Sequence, residues 1–524
     1  MERDKYIFLQ YLYKVLKKHD IEILKHFCDE KLSDNDYFIY GINNDIISNA
    51  LNIVTNYLSG NIESAGVDVS CRIIIEAMVI LLMDGKNKIT DKQKTIYRYL
   101  YAYVDFDNFH SILDNINKED EKIKRIVEDK EKAKQAMIEH FNCTSKNLKA
   151  RKIDIDNPCF YLKTRLYEDI RFSKLLETYQ LFDENTIKMY EFFSLFIHPR
   201  CEMDPKVEEY IMSIRNSYVD KILEFVYEYL KECKFLIDEN EEKELTDFNQ
   251  DFFYNPLLIY NVQNCKNIEN MFIFLMDNLC KLKEGIDYFT WFFLEKSKYL
   301  LIDMITSESL SYKEHVISSF KTFAEQYSIF YAIGSIDDMK EFNYIKKAFW
   351  CTSRLQIEAH FEKLDLKIKT VSEDEIKKLY DEYFKEKYEL DDYQKFYFNL
   401  KRNSLYFLEN NKKSYNKYVR SLIESVFVNE SESRDVMTLY RISKDMSHAS
   451  GYNFNASEGI IDSYFRKTLI YTWKLLKYFL LNASLTMEEH DEECNVITVI
   501  NMIDSFIKIE EQALDDAYKS YENV

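Results

Sequence analysis

The chain has 524 residues, 46% of them apolar, and a formal net charge of -20. That length exceeds what one hydrophobic core normally organises, and the apolar content excludes wholesale disorder. The negative balance excludes a global polyanion-binding surface and leaves room only for a local basic cleft.

The chain holds only 8 Gly and 4 Pro, whereas ordinary proteins carry roughly 7% and 5%. Sheets need tight turns that draw on those residues, so the composition predicts an all-α protein of long helices joined by polar loops. The ten cysteines form no CxxC pair, as expected of reduced core cysteines in a cytoplasmic protein. The N-terminus, charged from its second residue, does not read as a signal peptide. The most apolar run, Ile73 to Met83, is interrupted by Glu76 and is about half a membrane span. No membrane association is expected.

In chain order, Tyr6, Leu9, Leu12, Tyr13 and Leu16 give residues 1–30 the period of an amphipathic helix. The period is helical again from 41 to 84, where CRIIIEAMVILLM reads as a core helix. The charged stretch 117–138 reads as a solvated helix face. Two helices are predicted over 160–200, ending at His198-Pro199, and a long amphipathic helix over 206–237 closes the first half. The acidic run 238–247 is the candidate linker, dividing a domain over 1–240 from one over 241–524. The second half opens with an extra helical region, 255–300. A helix carrying SRLQIEA follows, then a Lys/Tyr-rich region from 366 to 420, a helix ending at His448, and a closing helix near 459–482.

Two short signatures recur in the same order. Cys71-Arg72-Ile73-Ile74-Ile75-Glu76-Ala77 reappears as Ser353-Arg354-Leu355-Gln356-Ile357-Glu358-Ala359. Each is followed by a tyrosine eight residues ahead of a histidine: Tyr190 to His198, with Ser194 between them, and Tyr440 to His448. The order suggests a diverged tandem duplication. The interval from arginine to histidine differs, being 126 residues in one half and 94 in the other.

The chemistry of these residues admits two readings. Arg72 with Glu76, and Arg354 with Glu358, share a helix face four residues apart, in the less favourable order for a surface pair. Each set is either a buried ion pair tying its helix to a neighbour or an arginine facing a cleft and binding an anion. His198 and His448 stand where helices should end, a position that favours imidazolium. Arg441, Lys444 and His448 lie on similar faces of one helix, with Ser447 close by. Such a stripe suits phosphodiester chemistry, with the histidine moving a proton and the arginine stabilising phosphate charge. Upstream, Lys401, Arg402, Lys412 and Lys413 are interleaved with aromatics, as a single-stranded RNA path requires. In a chain this rich in Lys and Tyr, a solvated helix pair is the simpler account of them. No metal-ligand spacing is present.

An arginine followed a few residues later by a histidine, at the end of a helix in an all-α chain, resembles the HEPN superfamily. In the first half the related residues are Arg72, Glu76, Tyr190, Ser194 and His198; Glu191 stands where Arg441 aligns. The resemblance implies two HEPN-like helical-bundle lobes joined as an intramolecular pseudo-dimer. It implies a metal-independent endoribonuclease of antiphage defence or toxin–antitoxin control, needing no cofactor, with His448 and Arg441 catalytic. Lys444, Ser447, Arg354, Glu358, Arg72, Glu76, Tyr190, Ser194 and His198 would support them. Expected partners are single-stranded or tRNA-like RNA, an antitoxin or defence-system protein, and a second copy of the chain. The alternative is a non-catalytic helical module that binds a protein or a nucleotide signal.

Overall fold

A computed structural model describes residues 3–27, 32–59, 65–95, 185–196, 205–232, 313–363, 369–387, 392–402, 415–447, 458–487 and 496–522, together with a few isolated positions. These residues are all-helical, with no strand among them. In the first half the helices are α1 (Arg3–Phe27), α2 (Asp34–Ser59), α3 (Ala65–Gly85), α4 (Asn185–Phe196) and α5 (Pro205–Glu232). In the second they are α6 (Lys313–Gly334), α7 (Met339–Lys363), α8 (Glu373–Leu379), α9 (Tyr393–Arg402), α10 (Tyr415–Val426), α11 (Glu430–Met446), α12 (Glu458–Met487) and α13 (Val496–Glu522). A π turn, Tyr380–Phe384, and a last turn, Lys385–Lys387, prolong α8. The proposed linker and the region 255–296 lie outside the described residues.

Local chemistry explains where several helices begin and end. Ser372 accepts the Glu375 backbone N–H at 3.1 Å, and three acids, Glu373 to Glu375, occupy the first turn of α8; both features satisfy the positive helix start. Asn429 caps α11 in the same way through Ser431 N–H at 2.9 Å. After α3, the Lys88 N–H bonds back to Met83 O at 2.9 Å, and Asn87 takes φ 54°, the left-handed conformation that Asn tolerates at a helix end.

Apolar spacing sets the packing. On α1, Leu9, Leu12, Val15 and Leu16 are all fully buried, the i, i+3, i+4 pattern of a core-facing stripe. They join one continuous core that takes residues from both halves, from α1 through α3 to α6, α11, α12 and α13. A smaller core gathers Phe349, Leu355, Phe384 and Phe396 around α7, α8 and α9. Helix α3 is packed by α2, α4, α5 and α6, while α6 is packed by α10, α11 and α12. Polar ties fix these contacts: Arg215 on α5 pairs with Asp68 on α3 at 2.6 Å, both buried. On the other side Lys467 and Lys474 of α12 hold Asp435 and Glu432 of α11, each at 2.8 Å. Helices α3 and α6 therefore meet in the middle, each carrying its own partner, α4 on one side and α11 on the other.

Candidate functional site

The meeting of α3 and α6 is where charges enter the core. Arg72 and Glu76 are 7% and 4% exposed on an otherwise apolar helix, with Nε and Oε1 3.1 Å apart. Tyr190 of α4 donates its hydroxyl to the same Glu76 oxygen at 3.0 Å. Its ring centroid lies 5.5 Å from the Arg72 guanidinium, within cation–π range. Burial, together with Glu76, raises the Tyr190 phenol well above its ordinary value, so it stays a neutral donor. Burial works against the Arg72 charge, but Tyr190 and Glu76 outweigh it and hold the guanidinium charged. A buried arginine is retained only with such partners. Ser194, one turn further along α4, has a buried hydroxyl without a hydrogen-bond partner among the described residues. His198 lies outside the described residues.

The second half repeats this geometry with different residues from those its sequence signature names. Tyr440 of α11 donates its hydroxyl to Glu325 of α6 at 3.0 Å, not to Glu358. Four residues before Glu325, where Arg72 precedes Glu76, stands Lys321, which is 3% exposed. Among the described residues, the Lys321 ammonium makes no hydrogen bond or ion pair. Burial lowers its pKa to about 8; Glu325 and Glu76 favour its charge, while Arg72 and Lys444 oppose it. Lys321 therefore senses charged groups from both halves. With Lys321 in place of Arg354 the spacing also agrees: 126 residues separate Arg72 from His198, and 127 separate Lys321 from His448. A serine also stands shortly before each cation, Ser70 and Ser319. Those intervals were the signal that could have found Lys321 and Glu325.

Arg354 and Glu358 have another task. Glu358 accepts hydrogen bonds from the Thr370 and Val371 backbone N–H groups, the latter at 2.8 Å, and from the Thr370 hydroxyl at 3.0 Å. Arg354 Nη1 donates to Thr370 O at 3.1 Å, and its guanidinium lies 5.1 Å from the Trp350 ring centroid. The two side chains share a helix face, as their spacing predicts, but they converge on the connection into α8 rather than on α11. They tie down a loop.

Along α11, the stripe read from the sequence divides. Tyr440, Ser443, Met446 and Ser447 are buried, Lys444 is half-buried, and Arg441 is exposed without an ion pair among the described residues. Ser447 closes the helix by donating its hydroxyl to Lys444 O at 2.7 Å. His448, the next residue, lies outside the described residues, as do Lys412 and Lys413. Of the remaining RNA-path residues, Lys401 pairs with Glu362 at 3.1 Å. The side chain of Arg402 lies outside the described set. No group of three or more His, Cys, Asp or Glu side chains is placed to hold a metal ion among the described residues. Nor is any described helix long and apolar enough to cross a membrane.

Comparison with protein-family models, with curated proteins and with solved structures returns no match. The candidate site therefore stands on its geometry: five charged side chains and two tyrosines, drawn from α3, α4, α6 and α11.

Proposed function

We propose that the chain is an HEPN-like, metal-independent endoribonuclease of antiphage defence or toxin–antitoxin control, built as a pseudo-dimer of two related helical lobes. One observation carries this reading. Two helix pairs with the same tyrosine–glutamate bridge, one from each half, meet through α3 and α6, with Arg72 and Lys444 close enough to act on the charge of the buried Lys321. Such an arrangement concentrates cations in a protein whose overall charge is -20.

In this reading a ribose 2′-hydroxyl attacks the adjacent phosphorus and gives up its proton to a base. The leaving 5′-oxygen takes a proton, and the products are a 2′,3′-cyclic phosphate and a 5′-hydroxyl. His448 serves as the proton-transfer group, and the exposed Arg441 stabilises the charge on the five-coordinate phosphate. The partners are RNA and an antitoxin or defence-system protein.

A second reading, a non-catalytic module that binds a protein or a nucleotide signal, draws on the burial of the cluster. Arg72, Glu76, Lys321 and Glu325 are each less than a tenth exposed. One experiment separates the two. Purified protein incubated with RNA in EDTA is expected to cleave it, and His448→Ala is expected to abolish cleavage without lowering the melting temperature. Unchanged cleavage in that variant, or a variant that mainly unfolds, removes the catalytic assignment.

A further inference from the structure

The contact between α7 and α4 joins the second half of the chain to the first, and it buries a histidine. His360 stands in the last turn of α7, beside Lys363. A helix C-terminus ordinarily favours imidazolium. Here the side chain is 6% exposed, and its ring lies against Phe192 of α4 with centroids 5.2 Å apart. Its Nε2 meets no hydrogen-bond partner among the described residues. A leucine would fill that space without leaving a polar atom unbonded, so packing alone does not call for an imidazole.

Burial opposes a proton on this ring, and Lys363 on its own helix and Lys188 on α4 add to that opposition. Carboxylates on the elements packed against α7 are engaged elsewhere: Glu191 of α4 with Lys363, Glu375 of α8 with Lys347, and Glu325 of α6 with the Tyr440 hydroxyl. On α7 itself, Glu362 pairs with Lys401 of α9, and Glu358 accepts from the Thr370 loop.

Each side of the contact is anchored without the other. α4 is held by the Tyr190 bond to Glu76 of α3, and its Phe192 and Phe193 rings meet Tyr218 of α5. α7 packs Phe349 and Leu355 into the smaller core with α8 and α9. What joins them is limited. It comprises the His360–Phe192 ring contact, the partly exposed Lys363–Glu191 pair, and the burial of Ile357 and Phe361, whose ring lies 5.9 Å from that of Tyr210 on α5.

We infer that the end of α7 and α4 form an acid-released latch between the two halves of the chain, with His360 as its proton sensor. With a neutral ring the contact stays shut. A protonated ring is solvated only when the contact parts, so acid opens it and leaves the two anchored sides assembled. The ring titrates at about 4 when shut and at the ordinary 6.5 when free. Opening therefore becomes easier as pH falls through that interval. The latch requires no ribonuclease activity.

Hydrogen exchange of the full-length protein at pH 7 and pH 4.5, corrected for the intrinsic effect of pH on exchange, tests this. In wild type the opening of residues 185–196 and 357–363 is expected to rise by about tenfold or more at pH 4.5, while α12 keeps its protection. In His360→Leu the rise should fall to about twofold or less. His360→Gln, equally unable to take the charge, should behave alike and carries the test if the leucine variant does not fold. Loss of protection in α12 together with α4 would overturn the latch, because acid would then unfold the whole chain. So would a wild type that shows no rise, or a rise that persists undiminished in the folded variants.

Discussion

Tyr440 reaches across from α11 to donate a hydrogen bond to Glu325 on α6 at 3.0 Å, and both side chains are buried. Tyr190 and Glu76 make the same bond at the same distance between α4 and α3. The same tyrosine–glutamate bridge thus occurs twice, between α4 and α3 and between α11 and α6.

The bridges should differ in how strongly the fold depends on them. Tyr440→Phe and Tyr190→Phe each remove a hydroxyl that satisfies a buried carboxylate, and each should lower stability by about 1–3 kcal/mol. Glu76→Ala should cost more, about 3–5 kcal/mol, because Arg72 is then left buried without its ion-pair partner. Urea denaturation midpoints measure all three. Equal losses in Glu76→Ala and Tyr190→Phe would mean that Arg72 finds compensation elsewhere.

Lys321 should make stability rise in alkali. Its folded pKa, about 8, lies below the ordinary lysine value of 10.5. Between those values the unfolded chain binds the proton and the folded chain does not, so raising the pH through this window favours folding. The gain at the top of the window is on the order of 3 kcal/mol. Denaturation midpoints at pH 7.5 and 10, compared between wild type and Lys321→Met, should show a rise that is smaller or absent in the variant. Parallel profiles would show that Lys321 is not held in the folded state as described.

A separate histidine governs the acid side. His360 on α7 is 6% exposed, its ring lies 5.2 Å from that of Phe192, and its Nε2 has no hydrogen-bond partner among the described residues. Burial, aided by Lys363 and Lys188, lowers its pKa from 6.5 to about 4. A depressed folded value means stability is present above the unfolded pKa and is lost as pH falls from 6.5 toward 4. His360→Leu should flatten part of that loss, read as the change in melting temperature between pH 7 and pH 4.5. An unaltered acid profile would assign the loss to other groups.

Glu358 is expected to matter for folding and not for RNA cleavage. It accepts three hydrogen bonds from Thr370 and Val371. Glu358→Ala should therefore cost about 2–3 kcal/mol while leaving cleavage by the folded protein within about twofold, since α11 is tied to Glu325 and not to this residue. A large loss of cleavage with an unchanged denaturation midpoint would return Glu358 to the site.

The helices were legible in the sequence because apolar spacing and the scarcity of Gly and Pro act locally. α1, α5 and α12 fall where the 3.6-residue period places them. The partner of Tyr440 was not legible in the same way. Arg354 and Glu358 match Arg72 and Glu76 by residue type, while Lys321 matches Arg72 by interval and Glu325 matches Glu76 by its bond from a tyrosine. Similar letters on a helix record only a shared face, and what that face meets depends on tertiary packing. The same packing leaves Lys444 half-buried and Arg441 in solvent, although both lie on one helix at close angular positions.

The most direct test of this account compares RNA cleavage in EDTA by Lys321→Met and Arg354→Met, both shown to be folded. The account predicts that Lys321→Met loses about tenfold or more in kcat/KM, with Arg354→Met staying within about twofold of wild type. The reverse order, with Arg354 required and Lys321 dispensable, would contradict it, as would wild-type protein that leaves RNA intact.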